Sequence, residues 1–146
     1  MFRFRLDPLL NFRRIQEEEK QRDLALATRE FMKVSSELEE FTKQKKQATV
    51  TLNDKEKDGA DINVLKLYQD FIRGREYDIV NKKAEVGNAR DMVTKRQEEL
   101  LAYVKRRRSL EAYRDRRESA YRKEETRKER IFMDEVAGMN WFRETL

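Results

Sequence analysis

The sequence predicts an all-α fold: two long helices in an antiparallel coiled-coil hairpin, with helix two longer and overhanging at the C-terminal end. Three observations predict it. Apolar residues recur in alternating steps of three and four, the average period of 3.5 that keeps one stripe of a helix against a partner helix. One Pro and four Gly in 146 residues are too few to punctuate a multi-strand sheet or a many-helix bundle. Charged residues make up 43% of the chain and apolar ones 38%, with 34 basic side chains nearly balancing 29 acidic ones. Mixed-sign charge around a periodic apolar stripe is the composition of a coiled coil rather than of a disordered chain. The length suits one coiled-coil domain, residues 1–146.

Helix one is expected over residues 7–53. Asp7 can cap free backbone amides, and Pro8 fits a first helical turn where no amide donor is required. The seam then runs Leu24, Ala27, Phe31, Val34, Leu38, Phe41, Lys45, Ala48 and Leu52, eight of the nine being apolar. Extended backwards, the register meets Leu6 and Leu10 but also Arg13, Glu17 and Lys20, so this stretch is expected to pack weakly or to shift register. A loop is expected over residues 54–62, where Asp58-Gly59 is a turn signal and Ile62 is the one large apolar residue.

Helix two is expected over residues 63–137, capped by Asp61 or Asn63. Its seam runs Leu65, Tyr68, Ile72, Arg75, Ile79, Lys82, Val86, Ala89, Val93, Arg96, Leu100, Tyr103, Arg107 and Leu110. Beyond Leu110 the stripe is largely lost, and Gly138 is the expected C-terminal cap. A fold-back near residue 58 pairs Leu38 with Ile79, Phe31 with Val86 and Leu24 with Val93. Helix two then outruns helix one, and residues 110–137 are left to await a partner. Residues 106–130 hold 11 Arg or Lys against 6 Asp or Glu, an excess of five that equals the formal charge of the whole chain. Such an arm steers toward an acidic partner.

Several function classes are disfavoured by the same composition. The chain has no Cys and no His. It therefore lacks thiolate nucleophiles, the usual structural zinc ligands and the commonest general base near neutral pH. Consecutive carboxylates at Glu17, Glu18 and Glu19 point about 100° apart on a helix and do not converge on a metal or a substrate. The glycines stand alone and form no phosphate loop. No catalytic residue, metal ligand or cofactor site is expected, and the chain is read as a non-enzyme. Arg106-Arg107-Arg108, with Tyr103, Tyr113 and Tyr121 nearby, suggests nucleic acid, but the interspersed acids favour a protein-binding helix. No run of 18 apolar residues occurs, so a soluble, cytosolic protein is expected.

Apolar residues off the seam are candidate contacts. Val64, Leu67 and Phe71 form one group near the loop; they either widen the intramolecular interface or make a partner-docking patch. A second set comprises Phe2, Phe4, Phe12 and Ile15 at the start, with Phe132, Val136, Met139, Trp141 and Phe142 near the end.

These residues also carry a resemblance. Phe2-Arg-Phe-Arg-Leu6, Leu9-Leu10, Arg13-Arg14 and Glu17 to Glu19 resemble the N-terminus of the flagellar export protein family FliJ. Tyr68-Gln69-x-Phe71-Ile72 is similar to that family's aromatic motif after the loop, and Met133-Asp134-Glu135-Val136-Ala137 to its C-terminal segment. The resemblance implies a cytosolic chaperone-like component of flagellar type III protein export, hence of motility, shaped like the shaft of a rotary ATP synthase. It further implies that the free end enters the hexameric ring of the export ATPase and regulates it. Arg13, Arg14, Arg108, Arg114, Arg117, Arg127 and Arg130 are the candidate contacts to that ring. Val64, Leu67 and Phe71 are the candidates for the cytosolic ring of the export gate, the aromatic of the family's gate contact matching Phe71. Substrate chaperones are further implied partners, nucleic acid is not, and attachment to the cytoplasmic face of the inner membrane would be peripheral, through the gate. The sequence departs from the family at Arg75 and Asp78, where apolar residues are expected, and at Gln44 and Ala48, where aromatics are. The stalk of a virulence type III secretion system remains an alternative, as does a generic coiled-coil scaffold or nucleic-acid-associated dimer.

Overall fold

Two helices account for nearly all of the computed structural model, which describes residues 1–146. Helix α1 is Asp7–Lys57 and helix α2 is Ile62–Thr145, and they pack against each other as an antiparallel hairpin in which α2 is the longer, 84 residues against 51. There are no strands.

The reversal is tighter than the sequence predicts. Residues 54–57, expected in the loop, continue α1, because Lys and Glu are good helix formers and Lys55 and Lys57 place positive charge at the helix C-terminus. The helix stops at Gly59, whose φ of 73° is the only positive value in the chain. Around it the Ala60 N–H donates to the Lys55 carbonyl at 3.0 Å and the Gly59 N–H to the Glu56 carbonyl at 3.3 Å. These two bonds form the left-handed closing turn that glycine permits, and they satisfy carbonyls a helix end otherwise leaves open. Asp61 then caps α2: its carboxylate accepts from the Asn63 N–H at 3.3 Å, and its carbonyl accepts from Val64 at 3.0 Å and Leu65 at 3.1 Å. Of the two expected caps, Asp61 is the one used.

At the start of α1 the Leu6 carbonyl takes the first helical bond, from Leu10 at 2.9 Å. Asp7 is thus the first helical residue rather than the cap, and contributes negative charge where the helix dipole favours it. Gly138 does not end α2, which runs seven residues further to Thr145. A single exposed glycine costs only about 1 kcal/mol relative to Ala, and Thr145 Oγ1 donates to the Trp141 and Phe142 carbonyls at the true end.

The contacts divide the chain into two compact units, residues 19–101 and residues 1–18 with 102–146. In residues 19–101 all nine predicted seam positions of α1 are covered, with Val34, Ala48 and Leu52 buried, and the α2 seam from Leu65 to Leu100 is partly covered throughout. Glu37 meets Lys82, Lys20 lies 3.9 Å from Glu99, and Arg90 lies 5.8 Å from the centre of the Phe31 ring. The register is antiparallel and within about a turn of the predicted pairing. Polar seam residues of α2 are neutralised locally: Arg75 pairs with Asp78 at 2.7 Å, Lys82 with Glu85 at 2.9 Å and Arg96 with Glu99 at 2.9 Å, each three residues on, whereas Lys45 of the α1 seam pairs across the hairpin with Glu76 at 3.4 Å. The hydrogen bond from Lys82 holds the Glu37 carboxyl below its usual range, and the bonds to Glu37 and Glu85 push the Lys82 ammonium up. Arg96 does the same for Glu99.

In residues 1–18 and 102–146 the core is Phe4, Leu10 and the charged Glu17, with Leu10 only 1% exposed. The expected register shift does not occur. Leu6, Leu10, Arg13 and Glu17 keep the step of the seam because Glu17 accepts a hydrogen bond from Arg107, a predicted seam position of α2. Arg107 also donates to Glu111 at 2.7 Å, and Glu111 meets Arg14 at 3.4 Å. Burial would raise the Glu111 pKa, but Arg107 and Arg14 outweigh it and lower it. The overhang also begins later than residue 110. Residues before α1 lie along α2, where the Phe4 ring is 5.9 Å from Tyr113 and the Phe2 ring 5.6 Å from Tyr121. The N-terminal amine donates to the Tyr121 hydroxyl at 3.0 Å. Every residue from Thr126 to Leu146 is exposed.

Candidate functional site

Two surfaces collect the predicted contact residues. The first lies in residues 19–101, beside the reversal. Leu67 is 70% exposed and Phe71 43%, and with Ala48 and Tyr68 they line a shallow apolar depression. Val64 is half-buried and stays outside it. The depression exists because Ala48 is small: an aromatic there would fill the space that Phe71 borders. Phe71 is held from one side by Arg75, whose guanidinium sits 5.0 Å from the Phe71 ring and 4.9 Å from the Phe41 ring. Lys55 lies 5.8 Å from the Tyr68 ring. Arg75 is anchored in turn by Asp78. A cation over an aromatic face is attracted to its negative quadrupole, so a charged side chain serves here where an apolar one would otherwise pack. Tyr68 and Ala48 are seam residues, and nothing in the 3.5 repeat marks them as lining a surface depression. Their proximity to Phe71 is visible only when the helices are paired.

The second surface belongs to residues 1–18 with 102–146. This unit holds 17 Lys and Arg against 12 Asp and Glu, an excess of five. Residues 19–101 hold 17 of each, so the whole formal charge of +5 falls in one unit.

The seven predicted arginines are treated unequally. Arg14 is bound to Glu111 at 3.4 Å, and Arg127 lies 3.7 Å from Glu124. Arg108, Arg114, Arg117 and Arg130 make no ion pair, and Arg13 donates only to the Gln16 amide oxygen at 3.3 Å. Arg13 lines a groove with Leu9, Lys105, Arg106, Ser109, Leu110 and Tyr113. Arg117 lines another, with Phe2 to Leu6 and Tyr113. Lys105 and Arg106 were not singled out in the sequence as contacts in their own right. Arg106 lies within the Arg106–Arg108 run, but only the pairing of α1 with α2 sets it opposite Leu9 and Arg13. The second apolar set is split: Phe4 is buried and Phe2 half-buried, whereas Phe12, Ile15, Phe132, Val136, Met139, Trp141 and Phe142 are exposed.

No helix is long and apolar enough to cross a membrane. Both surfaces are open and side-chain rich, and what they offer chemically is adhesion: an apolar depression in one unit, cations around aromatic and aliphatic floors in the other. Compared with known proteins, the chain matches the flagellar FliJ protein family over residues 1–146, its whole length. No curated protein and no solved structure matches it.

Proposed function

The chain belongs to the flagellar FliJ protein family, which has a role in flagellar protein export, and from that premise we propose that it is the non-enzymatic stalk of the export apparatus. Residues 1–18 with 102–146 enter the ring of a hexameric export ATPase in the cytoplasm. There Arg13, Arg14, Arg108, Arg114, Arg117, Arg127 and Arg130 meet acidic loops of the ring. Leu67 and Phe71, with Val64 behind them, contact the cytosolic ring of the export gate, which brings the protein to the inner membrane without inserting it. Substrate chaperones bind in passing. One asymmetric hairpin inside a ring of identical subunits biases one subunit at a time, which is how a stalk regulates an ATPase without doing chemistry itself.

The observation that carries this reading is the charge: all of the excess lies in the unit that also holds the uncovered end of α2, residues 126–146. Single exposed ion pairs contribute about 0–1 kcal/mol, so ring affinity rests on several together. Charge reversal of Arg108, Arg114 and Arg117 to Glu is expected to abolish co-sedimentation with the ATPase ring while leaving gate binding intact. Phe71→Ala is expected to do the converse, with helix content unchanged. Undiminished ring binding by the triple reversal would reject the charge-based contact.

A further inference from the structure

In the groove lined by Leu9, Leu110 and Tyr113 apolar side chains form the floor, cations form the rim, and no carboxylate lines it. The neighbouring groove of Phe2 to Leu6 with Arg117 shares that combination, but its Phe4 is buried and its Phe2 half-buried, each already against a tyrosine ring of α2. The depression beside Phe71 has no charged lining residue, and the one around Glu118 mixes Asp115 and Glu118 with Arg122 and Lys123. We infer that this groove takes a single large apolar side chain from an acidic segment of a partner protein, with carboxylates flanking that anchor meeting Arg13, Lys105 and Arg106. The inference rests on the reading that this unit meets acidic loops, and it adds the anchor that charge alone does not supply.

The floor is available. Leu9 is 38% exposed and Tyr113 41%, the first on α1 and the second on α2. The groove is shallow and offers about 440 Å³, and the small Ser109 leaves it open. The rim is available too, because Arg13, Lys105 and Arg106 make no ion pair within the chain. Arg106 is nevertheless held in place, its guanidinium 4.9 Å from the Tyr103 ring. Lys105 to Tyr113 spans about 12 Å at 1.5 Å per residue, which is the length of one anchor with its neighbours. Past the rim the charges are mixed, Arg114, Arg116 and Arg117 with Asp115 and Glu118, so a long polyanion or a flat anionic bilayer would also have to cover carboxylates there. A short acidic segment stops before them. Specific interfaces concentrate their energy in such a desolvated anchor and use charges around it for steering.

The test uses the full chain and a short fluorescent peptide of Asp and Glu around one central Leu, with its Leu→Ser counterpart. The Leu peptide is expected to bind about ten-fold tighter than the Ser peptide, as burial of one leucine requires. Ser109→Tyr, which fills the groove from an exposed position, is expected to abolish that preference with melting unchanged. Leu9→Ser provides a second route to the same loss if the tyrosine perturbs folding. Lys105→Glu with Arg106→Glu is expected to weaken both peptides. Equal binding of the two peptides, or a Leu preference that survives both Ser109→Tyr and Leu9→Ser, overturns the inference. So does groove-dependent binding of phosphatidylglycerol vesicles without peptide binding. If Arg108, Arg114 and Arg117 reversal abolishes ring sedimentation while peptide preference is absent, the stalk reading stands and the groove falls. If peptide preference is present and ring sedimentation is insensitive to the reversal, the groove stands and the ring contact falls.

Discussion

Residues 19–101 and the unit of residues 1–18 with 102–146 are built from the same repeat, yet they handle charge in different ways. The first unit carries 17 cations and 17 anions, and its seam cations are answered by carboxylates, Arg75, Lys82 and Arg96 three residues on in the same helix and Lys45 by Glu76 of the facing helix. The second carries the same number of cations with five fewer anions, and buries a carboxylate, Glu17, against Arg107. The difference teaches that a coiled-coil seam can be broken chemically without being broken geometrically. Opposite charges on the two facing stripes substitute for apolar contact and leave surrounding cations free to meet something else.

Apolar burial should dominate both units. Leu10→Ala, at the most buried position, is expected to destabilise residues 1–18 and 102–146 by about 3 kcal/mol. Leu52→Ala, 9% exposed, should cost somewhat less and act on residues 19–101. Hydrogen exchange resolved along the chain would check this, and equal loss of protection in both units from either variant would show that they unfold as one.

Next comes the buried pair. Arg107→Leu should destabilise by about 2 kcal/mol because it strands the Glu17 carboxylate without its cation. Replacing both residues by Leu should recover most of that loss, as an apolar seam position needs no partner. Urea titration of the two single variants and the double would measure the coupling. Additive losses would deny that Glu17 and Arg107 act as a pair.

Much of the fold was legible in the sequence and rather less of the candidate site. The repeat located the seam from Leu24 to Leu52 and from Leu65 to Leu110, and every one of those positions is at least partly covered. Asp58-Gly59 located the reversal. The helix ends were less legible, since Lys and Glu at 54–57 and a lone Gly138 are compatible with either state and neighbouring turns decide. The continuity of the seam through Arg13 and Glu17 was hidden for a different reason. A charge at a seam position looks like a defect until its partner, 90 residues away in the case of Glu17 and Arg107, is known. Phe71 and the arginines could be nominated from sequence. Ala48, Lys105 and Arg106 acquire their positions only from the pairing of α1 with α2.

The smallest effect is that of pH, and it should be felt in both units. Glu37 and Glu99 in one unit and Glu111 in the other have pKa values lowered in the folded chain. A carboxylate held below its unfolded value contributes stability that is complete above that value and is lost as pH falls through the folded one. Melting temperature should therefore be flat near neutrality and fall as pH drops below the ordinary carboxylate range, around 4.5. The ammonium of Lys82, raised above 10.5, acts in the other direction: its contribution persists at neutral pH and is lost in strong alkali. Melting monitored by circular dichroism across this range would check both limbs, and Glu37→Gln should flatten part of the acid one.

The closing turn at Gly59 also dictates an order of assembly. Contacts beside it close short loops, Glu37 to Lys82 spans 45 residues, and the N-terminal amine reaches Tyr121 only across 120. Because each doubling of an open loop adds about 0.6 kcal/mol of closure entropy, the chain zips from the bend outward, every rung shortening the loop the next must close. The termini are thus the last part to knit and the first to fray, so the cation-rich helical arms there are expected to part before the bend opens.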